Sequence, residues 1–359
     1  MLSVLIPYRD RQIDHVRNCL QSFDEQEDKN FKVHFIDYGS HDSFSPKAQS
    51  LCYQFSFVEY ICYAVQDQPW NKAKALNSVI KHLESEFCLI ADVDMIFRQD
   101  FIAKARSLQD LKKCVYFQVG FLSSKESVQN KKFFDFSTYR KSNGEATGIS
   151  LLPVEVLKDL KGFDEFYHFW GAEDTDLHVR LENIGLDIEF YEKEVMVLHQ
   201  WHSTYRLEEK SKLSEKLQIN GIVALNHQIL KSAKKENRTA VNPRGWGEIP
   251  SEKTMQELYQ KEVGQYITNE RNEIEELLYR KLPQLENGIF KVQIKAAREP
   301  ITLKYRIKKV LKMKVKSYYS LKEINDRLLL HLISFHRQEP YYYKVRNGGS
   351  LIEFAIRIS

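Results

Sequence analysis

Phe87-Cys-Leu-Ile-Ala91-Asp92-Val93-Asp94-Met95 is the stretch that decides the fold. An apolar run without a polar break stops abruptly at two carboxylates. A strand with one wet face alternates, whereas an unbroken apolar run is a strand covered by helices on both faces, as in a parallel sheet. Such sheets bind ligands beyond the carboxyl ends of their strands, which is where Asp92 and Asp94 fall. Residues two apart in an extended segment project to the same side, so both acids can serve one cation. Oxygen ligands suit Mg2+ or Mn2+, and such a cation suits a diphosphate. Alone, the pair is more simply read as two solvated loop acids.

Working outward, residues 2–7, 31–38 and 60–65 predict further strands. Residues 11–23 place Ile13, Val16, Leu20 and Phe23 at helical spacing, and residues 71–83 do so with Ala73, Leu76, Val79, Ile80 and Leu83. Residues 115–122, 146–152, 188–191 and 195–198 read as strands and 173–184 as a helix. The alternation predicts an α/β domain, a mostly parallel sheet flanked by helices. After residue 215 the pattern changes. Residues 207–235, 252–282 and 321–336 have helical period, Asn242-Pro-Arg-Gly-Trp-Gly247 is a loop, and residues 341–358 read as a hairpin about Asn347-Gly-Gly. The expected organisation is an α/β domain over 1–215 and a mainly helical, basic accessory region over 216–359.

The chain has 359 residues, 43% hydrophobic and 28% charged, which excludes a disordered chain, a fibre and a disulfide mini-protein. No run approaches the ~20 apolar residues that span a bilayer. The opening Met1-Leu-Ser-Val-Leu-Ile-Pro7 lacks the basic region and cleavage site of a secretory signal. Cys19, Cys52, Cys62, Cys88 and Cys114 are odd in number and show no CxxC, so reduced thiols and a cytoplasmic location are expected. The net charge of +4 conceals a split. Residues 1–215 carry 26 Lys and Arg against 34 Asp and Glu; residues 216–359 carry 27 against 15.

Four more motifs carry chemistry. Trp170-Gly-Ala-Glu-Asp-Thr-Asp176, preceded by Gly162-Phe-Asp-Glu165, puts Glu173, Asp174 and Asp176 at a helix start. Acids there complement the helix dipole; one of them can also act as a general base. Trp170 beside Gly171 makes a platform for a sugar ring. His199-Gln-Trp-His202 lacks the spacing of a helical zinc protease, but an imidazole can complete a site begun by the two aspartates. Arg9 and Arg11, in Ile6-Pro-Tyr-Arg-Asp-Arg11, stand at the ligand edge of the sheet, where guanidinium forks suit phosphate. In Pro69-Trp-Asn-Lys-Ala-Lys-Ala-Leu-Asn77, Asn71 can cap the helix, and Lys72 and Lys74 face either a phosphate or solvent. There is no P-loop and no GxGxxG.

These motifs, in this order from about Leu2 to about Arg206, resemble the nucleotide-sugar glycosyltransferases of the GT-A fold. The likeness is to the catalytic domain of the beta-1,4-galactosyltransferase family and to bacterial family 2 transferases. The resemblance implies roles. Pro7, Tyr8, Arg9 and Arg11 match the UDP-binding segment, Asp37 a contact to uracil or ribose, and Lys74 the donor-site helix. Asp94 and His202 match metal ligands for Mn2+ or Mg2+, and His199 falls where galactosyltransferases carry a methionine ligand. Asp92 matches a contact to the nucleotide sugar or the metal's water shell. Trp170, with Gly171, shapes donor and acceptor sites. Asp174 matches the base, with Glu173 beside it. Ala172 departs from the glycine-rich family motif, and the retaining polypeptide GalNAc-transferases share part of this segment. The implied reaction is an inverting transfer of a hexose or N-acetylhexosamine from a UDP-sugar to a glycan or glycolipid in cell-surface polysaccharide synthesis. Residues 144–148 and 200–206 are the expected covering loops.

Residues 291–316 hold ten Lys or Arg and one acid, Glu299. With the apolar residues up to Tyr319, this stretch reads either as an anionic-membrane contact on the inner face of the plasma membrane or as a solvated helix face. No nucleic-acid partner is expected, since no recognition module accompanies the charge. Two rival readings stand beside the transferase. One is a transferase fold that binds nucleotide sugar without turnover. The other is a nucleotidyltransferase, which would want a glycine-rich phosphate loop that Pro7-Tyr8-Arg9-Asp10 does not supply.

Overall fold

The computed structural model describes residues 1–129, 131–143, 147–203 and 212–358. The expected covering loops lie partly outside these, at 144–146 and 204–206. Two compact units emerge. The first comprises Met1–Gln66, the described part of Trp70–Leu207, and Val223–Ile249; the second comprises Asp67–Pro69, the described part of Glu208–Ile222, and the described part of Pro250–Ser359.

In the first unit a seven-stranded sheet runs in the order β10-β6-β9-β4-β1-β2-β3. Its strands are β1 (Leu2–Tyr8), β2 (Phe31–Tyr38), β3 (Val58–Tyr63), β4 (Phe87–Ile90), β6 (Lys113–Phe117), β9 (Ser150–Pro153) and β10 (Asp187–Tyr191). All pairs are parallel except those of β9, which runs antiparallel to β4 and β6. The apolar run that reads as a doubly covered strand is one. Phe87 and Leu89 of β4, with Ala91 just beyond it, join one core with α1 (Ile13–Asp24) and α2 (Ser45–Cys52). Cys88 and Ile90 join the opposite core with α3 (Lys72–Ile80), α6 (Val154–Asp159) and α7 (Glu173–Asn183). Period-two alternation sends successive side chains to opposite faces, so two helix layers leave no polar position in the strand. Asn71 caps α3 through Lys74 N–H at 2.8 Å, as its position suggests.

A second sheet, β5-β11-β7-β8, is built from Met95–Phe97, Val197–His199, Val119–Leu122 and Thr138–Lys141. Residues 115–122, read as one strand, are thus two in different sheets. The chain leaves the main sheet at Gln118, whose side chain donates to the Ser142 carbonyl.

The expected boundary at residue 215 shifts. Helix α8 (Ile222–Lys235) and the loop to Ile249 cluster, from Val223 on, with the first unit. The loop is held by buried polar contacts. Asn242 Nδ2 donates to the carbonyls of Lys161 and Phe163, and Glu165 accepts from Asn77 Nδ2 at 3.0 Å and Gly247 N–H at 2.6 Å. Periodicity cannot see this, because these partners are distant side chains. Gly247 has φ +68°, and a Cβ there would stand 2.6 Å from the Asn77 carbonyl oxygen. Gly247→Ala is therefore expected to destabilise the fold by roughly 2–5 kcal/mol, left-handed strain plus overpacking. Thermal melting checks this; an unchanged midpoint would mean the loop is not seated there.

The second unit carries a sheet of its own, β12-β13-β15-β14 (Gln265–Thr268, Gly288–Lys295, Leu351–Ile358, Tyr341–Arg346). The hairpin read from Asn347-Gly-Gly is present as β14 and β15, antiparallel with Arg346 opposite Leu351. The mainly helical reading misses β12 and β13. Tyr266 and Ile267 fit a helical period over residues 252–282, but β12 pairs parallel with Val292–Lys295, and strand formation follows such non-local pairing more than intrinsic preference. Helix α12 (Leu321–Phe335), with α9 to α11 at Glu252–Gln260, Arg271–Glu276 and Leu303–Val310, matches its spacing and begins with a Ser320/Glu323 capping box.

Candidate active site

The chain turns at the carboxyl end of β4 through Asp92-Val-Asp94 and returns as β5. Strand β11 pairs antiparallel with β5 and sets His199 opposite Met95. The Gln200 N–H then donates to the Asp94 carbonyl at 2.8 Å. This backbone pairing carries both histidines to Asp94. His202 Nε2 lies 3.2 Å from Asp94 Oδ2 and His199 Nε2 lies 3.7 Å from Oδ1. The three ligand atoms fall within 4.8 Å of one another. The Arg11 guanidinium shares Oδ2 at 3.2 Å.

Asp94 is 3% exposed, and its Oδ1 is buried with no hydrogen-bond partner. A buried carboxylate oxygen without a donor is costly, and a cation removes that cost. One carboxylate with two imidazoles suits Mn2+, so the residues fit such an ion. Burial pushes the Asp94 carboxyl up, but His202, His199 and Arg11 outweigh it and hold it well below the usual range. Burial lowers His199, favouring the neutral, ligating imidazole. For His202 burial acts the same way, but the Asp94 carboxylate outweighs it and raises the imidazole.

Beside this cluster stands a second one. Lys72 Nζ lies 2.9 Å from Asp92 Oδ1 and 3.1 Å from Asp174 Oδ2. Lys72 opens α3 and Asp174 lies in the first turn of α7. Burial alone would lower the Lys72 ammonium; Asp174 and Asp92 hold it well above its ordinary range. Burial pushes Asp174 up, Lys72 opposes, and the charges of Glu173 and Asp92 add, so the carboxyl rises to about 7. A Cβ on Gly148 would stand 3.8 Å from both Asp174 Oδ2 and Asp92 Oδ2. Glycine there leaves the space before the two acids open.

The turn into α7 is left-handed at Phe169, Gly171 and Ala172, with φ +67°, +96° and +77°. Ala172 thus adopts a conformation glycine takes more readily. Trp170 is 44% exposed and its carbonyl accepts from Asn226 Nδ2 at 3.2 Å. Gly171 faces His227 of α8, 3.6 Å from where its Cβ would be.

The structure sorts the remaining residues. Asp176 is buried against Arg180 and Arg238, at 2.9 and 2.6 Å, and Asp164 also pairs with Arg238, so both brace the scaffold. Glu173 lies beside Asp174, partly exposed. Pro7 and Tyr8 are buried in β1, Tyr8 against Phe35 with its hydroxyl donating to the Arg11 carbonyl at 3.0 Å. Asp37 is wholly buried and accepts from Ser40 N–H at 2.8 Å and the Tyr60 hydroxyl at 2.7 Å. Arg9 donates to the Gln66 carbonyl at 2.5 Å. Lys74 is buried in α3, while Lys72 reaches the acids. Both lysines are visible in the sequence; which one meets the acids depends on how α3 and α7 pack.

Residues 3–151, from β1 past Gly148, match glycosyl transferase family 2. Residues 130–204, which include Trp170, Asp174 and both histidines, match the N-terminal domain of galactosyltransferase. The chain carries a GT-A glycosyltransferase domain. Beta-1,4-galactosyltransferase 5 of Sus scrofa is 26% identical to it over 240 residues, 63% of this chain and 51% of the relative. Chondroitin sulfate synthase 3 of Homo sapiens is 31% identical over 124 residues, 33% of this chain and 14% of the relative. The chain thus spans about half of the galactosyltransferase it matches. The crystal structure of GalNAc-T7 with UDP, GalNAc and Mn2+ aligns with a TM-score of 0.48 at 11% identity, over 66% of this chain and 49% of that one.

Proposed function

We propose that the glycosyltransferase domain moves a hexose or N-acetylhexosamine from a UDP-sugar to a glycan or glycolipid hydroxyl, with inversion, in cell-surface polysaccharide synthesis. The observation that carries this reading is Asp94. Its buried oxygen without a hydrogen-bond donor and the two imidazoles converge where ligands bind this sheet. Asp94, His202 and His199 would hold Mn2+ or Mg2+, which supplies Lewis-acid neutralisation of a departing diphosphate when bound.

The chain's own residues do the rest. Arg11, already beside Asp94, offers its guanidinium to the diphosphate. Asp92 and Lys72, ion-paired beside Asp174, orient the sugar. Asp174 takes the proton from the acceptor hydroxyl, and its raised carboxyl matches that task near neutral pH. Trp170 presents an exposed ring as a platform for the acceptor. Holding donor and acceptor at one sheet edge replaces a collision with an oriented encounter.

The test is UDP release from a panel of UDP-sugars with Mn2+, with Mg2+ and with a chelator, alongside calorimetric binding of Mn2+ alone. One donor is expected to release UDP only with the cation. UDP binding without release, even with candidate acceptors, would favour the fold without turnover. Pyrophosphate as product would mark a nucleotidyltransferase. Absence of both UDP and Mn2+ binding would overturn the reading.

A further inference from the structure

Six of the eighteen exposed large apolar side chains among the described residues lie within residues 301–313 of the second unit. Ile301, Leu303, Val310 and Leu311 are 63–80% exposed, and Ile307 and Met313 are about half exposed. Leu303, Ile307 and Val310 recur at helical spacing along α11 and share a face. Interleaved are Lys304, Arg306, Lys308, Lys309, Lys312 and Lys314, with no acid among them.

The base of this segment is fixed. Tyr305, its one buried residue, donates its hydroxyl to the Lys316 carbonyl at 2.8 Å and sets its ring 5.8 Å from Tyr318. Tyr318 donates to Glu299 at 2.6 Å, and Lys316 to Glu270 at 2.6 Å. Glu299 and Glu270 are thereby engaged at the base, and among the described residues no ion pair involves the cations from Lys304 to Lys314.

We propose that residues 301–313 dock the protein on an anionic lipid bilayer, apolar side chains entering the interface and the cations meeting lipid headgroups. A helix with exposed aliphatic residues and many lysines has the make-up of an interfacial element. Nucleic acid would use the cations but has little use for aliphatic side chains, and the one aromatic here, Tyr305, is buried rather than offered for stacking. A second copy would bring the same uncompensated charge, which repels. Among the described residues no helix is long and apolar enough to cross a membrane.

The experiment is co-sedimentation of the full chain with vesicles of phosphatidylcholine alone and of equimolar phosphatidylcholine and phosphatidylglycerol. Two variants accompany it, Leu303→Ser/Ile307→Ser/Val310→Ser and Lys304→Gln/Lys308→Gln/Lys309→Gln. The apolar positions are at least half exposed, so unchanged melting is expected and is measured. Wild type is expected to bind the anionic vesicles and not the neutral ones, more weakly in high salt. Removing three lysines is expected to weaken binding roughly 100-fold, and the apolar variant is expected to lose it as well. No binding to anionic vesicles, or binding that both variants retain, overturns the proposal. So does tight binding of an oligonucleotide that the apolar variant keeps, or self-association without lipid that it abolishes. None of these readouts involves sugar transfer, so the outcome is independent of the proposed reaction.

Discussion

Asp94→Asn is expected to abolish cation-dependent UDP release, with a loss of roughly 10²–10³-fold or more, the scale for removing one preorganised electrostatic group. Asparagine keeps the shape and removes the charge. Its amide can leave an N–H group facing His202 and Arg11, which already crowd Asp94 Oδ2 at 3.2 Å each. Two imidazoles without a carboxylate make a poor site for a hard cation. Mn2+ titration should show the loss of binding directly, before any sugar is supplied. If the variant binds Mn2+ as wild type does, the cation belongs elsewhere and the site has been misread.

Asp174→Asn is expected to leave Mn2+ and UDP binding within a few fold and to lower transfer by roughly 10²–10⁴-fold, the contribution of a positioned base. The carboxyl stands at about 7, raised by burial against the opposing charge of Lys72. Only the deprotonated form accepts a proton, so the wild-type rate should climb through about pH 7 and level above it. Asp174→Asn should lose that ascending limb. Lys72→Met removes the cation that opposes protonation, so its limb should move to higher pH. Steady-state transfer across pH, with UDP affinity measured in parallel, checks all three. A wild-type limb that persists in Asp174→Asn would assign the base to another group, and Glu173 would be the next to replace.

Much of this molecule is legible in the chain. The run from Phe87 to Ala91 announces a doubly covered strand because both faces of β4 meet helices, and that much is a matter of local pattern. Asp94, His199 and His202 stand out by type and by place after strands. The sequence is silent on which acid does what. Asp174 and Asp176 are two residues apart, yet Asp174 opens toward Gly148 while Asp176 is locked between Arg180 and Arg238. Asp37 ends its strand as a ligand residue would, and Tyr60 and Ser40, distant from or beyond it in the chain, each donate to one of its oxygens.

The residues after 215 show the same limit. Short apolar stretches such as Tyr266-Ile267 fit more than one period, and only pairing with β13 makes them a strand. By itself, the sequence determined the α/β order, the motifs and the charge divided between two halves. These rest on local periodicity and composition, which each segment carries within itself. The tertiary structure decided that Lys72 rather than Lys74 bridges the acids, that the loop to Ile249 belongs to the first unit, and that the aliphatic side chains of residues 301–313 remain uncovered. Each of these depends on which distant groups meet, and a buried charge or an exposed leucine is defined by its neighbours in space.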